Sequence, residues 1–481
     1  MSDPSAHTAE YGFASAHDLL ADIASGELSS REIVEALLTR IHEIDDVDGG
    51  IQSLIALGDA VLEQADYADQ HPSDRPLHGL PVLIKDNIEA VGLPATAGSL
   101  ALTGRTVTAD APLVSQLRDA GAIILGSTNL SEWANIRSTQ STSGWSAVGG
   151  LTANPWKYEH NAGGSSSGSG AAIAAGLAPL AVGSETDGSI VCPSSMNGCV
   201  GIKPTVGLVS RQGMIPIANS MDSPGPMGRN VKDVALLLEV LSGVRNLVEL
   251  CVDRSALRIG VVHQWRTGHE KTNEIFEYQV SRLQQAGIRI KDIDHVPDYS
   301  QDIAQDEVKF ILSELNEDLT AYLQQRPGDG VQSLAEVVQF NQDHADVELH
   351  YFGQDLLEQA LATGGRDDAY RAARERALTW AVQQVLQPSI EDVDVLIGPT
   401  YGPAWKSALG EGDRYEDAGW ITSAPAIAGW PIGCLPMGFV DGLPVGMGVV
   451  ARPRDEAGLV RAMARIEQVL QIGDLRPTFI R

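Results

Sequence analysis

The sequence predicts an α/β fold in which a large mixed, mostly parallel, twisted sheet is covered by helices on both faces. Apolar runs of strand length alternate with segments of helical periodicity, over residues 80–126, 170–183 and 257–293. Strand, helix and strand in succession are typical of parallel sheets. The 481 residues contain no linker-like segment that divides the chain, so we expect a single domain over residues 1–481.

The first predicted helix begins at a capping signal. Ser29 and Glu32 match a capping box. The apolar residues that follow have helical spacing: Ile33, Val34, Leu37, Leu38 and Ile41. Residues 80–84 are predicted to form a buried strand. A helix over residues 112–120 and a strand over residues 122–126 follow it.

The alternation continues through the middle of the chain. Residues 170–178 form an alanine-rich segment whose small side chains would let a helix approach the sheet closely, and residues 180–183 form a short strand. Asn230 is expected to cap a helix that Gly243 ends. Beyond it, we expect strands at 257–262 and 288–293 and a helix at 274–285.

The last third combines a helical segment with a return to the sheet. Residues 302–391 are polar, acidic and helical in pattern, and we interpret them as a peripheral insertion of the kind that often shapes the mouth of an active site. Residues 393–398 are predicted to form a buried strand. An amphipathic helix closes the chain, with Leu459, Met463, Ile466 and Leu470 on its apolar face.

The charge and the cysteine and histidine usage exclude several classes of function. The chain has 34 basic and 63 acidic residues, a formal net charge of -29. This charge, with no local basic stripe, argues against binding of nucleic acid or anionic membranes. Neither the four cysteines nor the eleven histidines form a disulfide framework or metal-ligand spacing. We therefore expect no metal and no cofactor.

The location of the protein is predicted from segments that the sequence does not contain. No apolar run approaches the roughly 20 residues that cross a bilayer. The first residues carry acidic side chains and lack the basic and apolar regions of a secretory signal. We therefore expect a cytoplasmic protein.

Three residues suggest the chemistry. Lys85 ends the apolar strand 80–84, where a solvated charge would be unexpected, and Ser165 and Ser189 lie in turns on either side of a strand-like run. A lysine that a dry site keeps neutral can act as a base. Through one serine it could activate a second serine as a nucleophile. This pattern predicts a serine hydrolase with lysine in place of histidine.

Two other interpretations of the glycine- and serine-rich run GGSSSGSG at residues 163–170 are weaker. A phosphate-binding loop would need the Lys-Ser/Thr ending of a P-loop or the GxGxxG spacing of a dinucleotide fold, and neither is present. A flexible linker is disfavoured because a helical, buried-looking segment follows the run immediately.

The chain resembles the amidase signature family. The resemblance rests on GGSSSGSGAAIAAGLAPLAVGSETDGSIVCPSSMNGCVGIKPT at residues 163–205 and on further segments: PVLIKDNI, GSTNLSEWAN, NPWKYEHNAGGSS and LPVGMGVVARPRDE. It extends over nearly the whole chain and is weakest in the insertion. It implies the amidase signature fold and an amidase that cleaves linear amide C–N bonds.

The resemblance also implies roles for individual residues. Ser189 would be the nucleophile, Ser165 the bridging serine entered through a cis peptide bond, and Lys85 the base. The developing oxyanion would be met by backbone N–H groups of Thr186, Asp187, Gly188 and Ser189. Ser166 would orient the catalytic hydroxyls, whereas Ser167 and Ser169 are expected to form hydrogen bonds within the loop.

The substrate expected from the resemblance is a neutral carboxamide. Some family members place an arginine two or three residues after the nucleophile to hold a carboxylate, and here those positions are Val191 and Cys192. The chain looks most like the peptide amidase branch, which releases ammonia from peptide C-terminal amides. As possible pocket walls we consider four tryptophans, each individually more typical of core packing: Trp133, Trp145, Trp405 and Trp430.

Two alternative activities remain open, and the first would use the same three residues. One is hydrolysis of aryl or acyl amides with release of an aromatic amine. The other, less favoured, is the glutaminase subunit of a tRNA-dependent amidotransferase, which works with partner chains. The partner expected here is a small-molecule or peptide amide, and the protein is expected to be a monomer or homodimer.

Overall fold

The computed structural model describes residues 11–472 and 475–477. Within them, eleven strands form one sheet and two short strands pair separately. In chain order the strands are β1 (Leu54–Leu57), β2 (Pro81–Lys85), β3 (Ile123–Thr128), β4 (Trp145–Ser146), β5 (Gly150–Leu151), β6 (Leu180–Glu185), β7 (Val200–Lys203), β8 (Ser223–Gly228), β9 (Arg258–Val262), β10 (Arg289–Ile293), β11 (Val395–Pro399), β12 (Ile432–Val440) and β13 (Leu443–Val450).

The α-helices lie between and beside these strands. They are α1 (Ala16–Ser25), α2 (Ser30–Ile44), α3 (Val61–Gln70), α4 (Pro112–Asp119), α5 (Ser167–Ala175), α6 (Val191–Asn197), α7 (Val231–Ser242), α8 (Leu247–Leu250), α9 (Glu270–Gln285), α10 (Gln301–Gln325), α11 (Leu334–Asp343), α12 (Asp355–Leu361), α13 (Asp368–Leu378), α14 (Gln387–Ile390), α15 (Ser423–Ala428) and α16 (Glu456–Leu470). A π-helical segment, Thr379–Leu386, joins α13 to α14.

The predicted capping residues occupy the expected positions. The Ser29 side chain accepts from the Glu32 N–H while the Ser29 N–H donates to the Glu32 carboxylate, so α2 begins with a capping box. Asn230 accepts from the Asp233 N–H at the start of α7, and Gly243 ends that helix in the left-handed region. The capping box, the Asn230 cap and the glycine stop are therefore confirmed.

The strand order of the large sheet is β1-β3-β2-β6-β8-β7-β12-β13-β11-β9-β10. Strand β2 pairs in parallel with β3 and β6, and β9 pairs in parallel with β10 and β11. The remaining pairs in the sheet are antiparallel. An α/β fold with a mixed sheet is therefore confirmed.

The expectation that parallel pairs would dominate is wrong. The centre of the sheet, from β6 through β8, β7, β12 and β13, is antiparallel. A tight turn at Asp441 and Gly442, both with positive φ, joins β12 directly to β13. Two strands joined by so short a turn can only run antiparallel, because a parallel pair needs a crossover of a dozen or more residues.

Helices cover both faces of the sheet, as predicted. Along β11, Val395 and Ile397 belong to one buried cluster, whereas Leu396 between them belongs to another. Successive side chains of a strand point to opposite faces, so the two clusters lie on opposite sides of the sheet. The first contains Phe276 of α9, and the second contains Phe310 of α10.

The segment predicted as a helical insertion is helical in the structure. Helices α10 to α14 and the π-helical segment occupy it between β10 and β11. Phe310 and Leu315 of α10 are buried in the same cluster as Leu396 of β11 and Ile432 of β12. The segment therefore forms part of the packed interior. Among the helices of residues 11–472, none combines the length and apolar character needed to cross a membrane.

Candidate active site

Lys85 lies at the carboxyl end of β2 and is fully buried, with 0% of its surface exposed. Its Nζ lies 2.8 Å from the Ser165 Oγ and 3.0 Å from the Ser184 Oγ. The Asn87 side-chain amide donates to the same Ser184 hydroxyl. Lys85 and Ser165, which the sequence places far apart, are therefore in direct contact, and the Ser184 hydroxyl holds the amine from another side.

Burial of the Lys85 amine lowers its pKa to about 7. Removal from water disfavours the charged form of an amine, and the negative charges of Asp222 and Glu185 oppose this effect only in part. Lys85 is therefore neutral in a large fraction of molecules at neutral pH. A neutral amine 2.8 Å from a serine hydroxyl can accept its proton.

Ser165 follows a cis peptide bond from Gly164, as the resemblance implies. Its carbonyl accepts from the Ser131 N–H. A Cβ added at Gly164 would lie 2.8 Å from the Ser143 Oγ, so only glycine fits this turn without rearrangement. The turn is thereby held in place on both sides of the cis bond.

Ser166 connects the turns that carry Ser165 and Ser189 through its backbone and its hydroxyl. Its N–H donates to the Ser189 carbonyl at 3.1 Å. Its hydroxyl donates to the Ser184 carbonyl and accepts from the Ser184 N–H. Ser166 therefore fixes the positions of the segments that carry Ser165 and Ser189, and its hydroxyl contacts backbone groups of β6.

Ser167 makes the hydrogen bond to the loop that was expected of it, whereas Ser169 lies in α5 and contacts a neighbouring strand. The Ser167 hydroxyl donates to the Gly163 carbonyl. The Ser169 hydroxyl lies 2.8 Å from the Thr128 hydroxyl at the end of β3. Both side chains anchor the start of α5 against its surroundings.

Ser189 follows the turn after β6 and lines the same cavity as Ser165, with 9% of its surface exposed. Within the described residues, no hydrogen bond joins the Ser165 and Ser189 hydroxyls. Hydrogen bonds between catalytic groups are often long without substrate and shorten in the complex. The structure thus brings Ser165 and Ser189 to one cavity with Lys85 behind Ser165.

The turn before Ser189 presents free backbone donors. In the part of the chain that the structure describes, the N–H groups of residues 186–189 donate no hydrogen bond. The next two N–H groups, of Ile190 and Val191, donate to the Glu185 Oε2 at 2.7 and 2.9 Å. The unpaired donors are available for an anionic oxygen in the cavity.

Glu185 and Ser184 are site residues that the sequence analysis missed. Glu185 is buried, and its carboxylate holds the backbone that follows Ser189. Its sequence signal is an acidic residue at the end of an apolar strand, the same kind of signal that identified Lys85. Ser184 carries no comparable signal, because a serine in a strand is common and its contact with Lys85 depends on the pairing of β2 with β6.

The cavity beside Ser189 has a volume of about 370 Å³. Its polar wall contains Ser165, Asp187 and Ser189, and none of its lining side chains is lysine, arginine or histidine. Apart from Glu307, Asn135 and Cys192, the rest of the lining is aromatic, aliphatic or hydroxyl-bearing, and includes Ile136, Ile217, Ile311, Tyr299, Tyr401, Tyr415, Trp420, Thr422 and Ser423. The cavity suits a compact substrate without negative charge.

The predicted tryptophan walls are wrong, and a different tryptophan lines the cavity. None of the four candidate tryptophans is among the lining residues, whereas Trp420 is. Trp133, Trp145 and Trp430 are buried in the interior. Trp405 does not line the cavity; it packs edge-on against Tyr415, which does. Spacing along the sequence could not separate a core tryptophan from a pocket tryptophan.

One part of the cavity wall is acidic. Asp187 and Glu307 both line it, and the Tyr299 hydroxyl donates to the Glu307 carboxylate at 2.6 Å. Glu307 comes from α10, so the helical insertion supplies part of the site. Among the described residues there is no group of three or more His, Cys, Asp or Glu side chains placed to hold a metal ion.

Comparison with known proteins places this geometry in a family. The amidase family model matches residues 32–460. A glutamyl-tRNA(Gln) amidotransferase subunit of Methanosarcina acetivorans is 33% identical over 476 residues, with 93% of this chain and 96% of that protein covered. A probable amidase of Arabidopsis thaliana is 31% identical over 484 residues, covering 92% of this chain and 88% of that protein.

Solved structures give a similar result. The peptide amidase PAM, in complex with the competitive inhibitor chymostatin, superposes with a TM-score of 0.92 at 39% identity, covering 98% of this chain and 100% of that one. The native peptide amidase of Stenotrophomonas maltophilia gives a TM-score of 0.89 at 38% identity, with 97% and 98% covered. A bacterial aryl acylamidase, at 21% identity and a TM-score of 0.79, shares the fold.

Proposed function

The chain belongs to the amidase signature family and is an amidase that cleaves linear amide C–N bonds, and we propose that its substrate is a neutral carboxamide. The products are a carboxylic acid and ammonia, and the substrate is a peptide C-terminal amide or a similar compound. The observation that carries the proposal is the buried Lys85 Nζ, 2.8 Å from the Ser165 Oγ, together with the cavity that both Ser165 and Ser189 line.

The proposed reaction begins with proton transfer toward Lys85. The neutral amine accepts a proton from the Ser165 hydroxyl, which accepts one from Ser189 as the Ser189 oxygen attacks the amide carbon. When the tetrahedral intermediate collapses, the C–N bond breaks and the proton returns through Ser165 to the leaving nitrogen, which departs as ammonia. Water then attacks the acyl-enzyme by the same route and releases the acid.

The turn before Ser189 stabilises the negative oxygen of each tetrahedral intermediate in this proposal. The N–H groups of residues 186–189 have no partner among the described residues, so they need not break a bond to meet the oxyanion. Loss of one such donor typically costs about 3 kcal/mol of transition-state stabilisation. Glu185 holds the following N–H groups and so fixes the direction of the turn.

The cavity supports a neutral substrate. It has no lining cation to pair with a carboxylate, and Val191 and Cys192 occupy the positions where an arginine clamp would be expected. The similarity to two peptide amidase structures at 39% and 38% identity supports a peptide amide over other neutral amides.

A glutaminase subunit is the second candidate, because several of the most similar curated relatives are named as glutamyl-tRNA(Gln) amidotransferase subunits. Glutamine carries a carboxylate next to its amine, and the cavity offers no lining lysine, arginine or histidine for it. For this reason we favour the peptide amide. Hydrolysis of aryl amides uses the same serines and lysine and differs only in the amine released.

A panel of amides separates these candidates. The isolated protein is incubated with peptide C-terminal amides, the corresponding anilides and glutamine, and ammonia and aromatic amine are measured separately. We expect ammonia from the peptide amides and little from glutamine. Release of aniline alone, or of ammonia from glutamine alone, would overturn the proposed substrate.

The nucleophile is tested by a pair of serine substitutions. Ser189→Ala should lower ammonia release by at least about a thousandfold while the protein stays folded, since it removes the attacking oxygen. The matched control is Ser210→Ala, at an exposed serine away from the cavity, which should retain full activity. Activity retained by Ser189→Ala would assign the nucleophile to another residue.

A further inference from the structure

The cavity wall contains two carboxyl groups that the reaction steps above do not use. Glu307 is 3% exposed and Asp187 lies in the turn two residues before Ser189. Both line the cavity. The Asp187 Oδ1 is buried and has no hydrogen-bond partner within the described residues. We refer to Asp187 and Glu307 together as the acidic wall.

The electrostatics of the acidic wall favour a negative charge on Asp187, which lines the same cavity as Ser189. No ion pair with either carboxyl is found in the described part of the chain. Burial raises the pKa of Glu307 well above its usual range, and the neighbouring Asp187 raises it further. Burial also raises the pKa of Asp187, but Thr422, Ser423 and Glu307 lower it in part. The Asp187 charge raises the pKa of Glu307, whereas a hydrogen bond from Glu307 lowers that of Asp187, so the arrangement favours ionisation at Asp187 over Glu307.

The unpaired N–H groups of the turn would bind the carboxylate product as well as the substrate, and a nearby negative charge would oppose this. Unpaired N–H groups at residues 186–189 attract any anion, and the product of hydrolysis is itself a carboxylate of nearly the same shape as the amide. A carboxamide differs from that product by its lack of charge and by its N–H donors. A fixed carboxylate beside the unpaired backbone N–H groups favours binding of the carboxamide and opposes binding of the carboxylate product.

We propose that the acidic wall discriminates the carboxamide substrate from the carboxylic acid product: Asp187 accepts a hydrogen bond from an N–H group of the bound amide and repels the product carboxylate, while Glu307 fixes the Asp187 side chain. The inference rests on the proposed function, because it assumes a carboxamide in this cavity. It assigns substrate selection and product release to residues outside the Lys85, Ser165 and Ser189 set.

The experiment measures binding without turnover. Affinities for N-acetyl-glycyl-phenylalanine amide and for the corresponding free acid are measured by ligand-observed NMR on the Ser189→Ala protein. The same pair is then measured on Ser189→Ala combined with Asp187→Asn and Glu307→Gln, which removes the charge while keeping the side-chain shapes. Asp302→Asn in the Ser189→Ala background is the matched control, since Asp302 is an exposed carboxylate on the same helix as Glu307.

With the acidic wall intact, we expect the amide to bind at least about tenfold more tightly than the acid. The acid lacks the N–H group that would donate to Asp187, and its negative charge is repelled by the Asp187 carboxylate. With both carboxyls neutralised, the preference should fall to about threefold or less. The Asp302→Asn control should keep the full preference. In enzyme that retains Ser189, the acid should be a stronger inhibitor of the Asp187→Asn, Glu307→Gln variant than of the wild type.

A preference that survives neutralisation, or that is absent with the wall intact, would overturn the inference, as would failure of the amide to bind. If the neutralised protein unfolds, the combination Asp187→Ser with Glu307→Gln replaces it, because serine is smaller and keeps a polar side chain in the turn. Failure of the proposed function has a different signature: wild-type enzyme then releases no ammonia from peptide amides, whatever the binding preference of the Ser189→Ala protein.

Discussion

In the proposed mechanism, the burial of Lys85 sets the pH dependence of activity. Its pKa of about 7 means that the neutral, proton-accepting form increases as the pH rises through that value. The rate constant kcat/KM should therefore fall about tenfold per pH unit on the acidic side and level off on the alkaline side. A pH–rate profile on a peptide amide tests this expectation, and a flat profile from acid to alkaline pH would exclude Lys85 as the base.

The pH profile should respond to Asp222. Burial raises the pKa of Asp222 to about 6, so its carboxylate is charged near neutral pH, and this charge raises the pKa of Lys85. Asp222→Asn removes the charge and should move the acidic limb of the profile to lower pH. Asp346→Asn, at an exposed site, changes the net charge equally and should leave the limb in place. A limb that shifts equally in both variants would point to net charge instead of the local carboxylate.

Local sequence patterns identify Lys85, Ser165 and Ser189 as candidate site residues. They do not identify the residues that contact these side chains in the folded protein. Lys85 ends an apolar strand, and Ser165 and Ser189 lie in glycine-rich turns, so local pattern identifies each of them. Ser184 contacts Lys85 only because β2 and β6 pair. Glu307 reaches the cavity from a distant helix whose acidic, polar pattern looks like a solvated face.

At the scale of single elements, α5 depends on a close approach to its neighbours. A Cβ added at Gly168 would overlap the Ser53 carbonyl and lie 2.6 Å from the Asn129 backbone nitrogen. Gly168→Ala should therefore destabilise the protein by about 3 kcal/mol, since backbone atoms cannot move aside cheaply. Denaturant unfolding measures the change.

Gly353→Ala is the matched control for that substitution. A Cβ at Gly353 would meet nothing within 4 Å, and this glycine is not in the left-handed region. It should change the free energy of unfolding by less than about 1 kcal/mol. Equal effects of the two substitutions would show that α5 is not packed as closely as the structure indicates.

The strands that were predicted differ from those that were missed in their local sequence signal. The strands predicted from apolar runs are β2, β3, β6, β9, β10 and β11, and these are the ones that form the parallel pairs. The missed strands include β8 (SPGPMG) and β13 (LPVGMGVV). Their glycine and proline content is typical of turns, so propensity argued against strands that the surrounding sheet imposes. This omission produced the mistaken expectation of a mostly parallel sheet.

At the scale of the whole molecule, the helical insertion shares buried contacts with the rest of the fold, including the sheet. Arg137 is buried and binds Glu132 at 2.6 Å and Glu348, which follows α11, at 3.5 Å. Leu315 of α10 and Leu396 of β11 lie in one apolar cluster. We therefore expect one cooperative unfolding transition by scanning calorimetry, with the insertion and the sheet unfolding together. Two separate transitions would contradict the single domain predicted over residues 1–481.

The central claim, that neutral Lys85 activates Ser189 through Ser165, is tested most directly by labelling with a serine-reactive fluorophosphonate. Peptide mapping should locate the label on Ser189, its rate should follow one ionisation near the Lys85 pKa of about 7, and Lys85→Met should lower that rate by at least about a hundredfold. A label on another residue, or a rate independent of both pH and Lys85, would contradict the account.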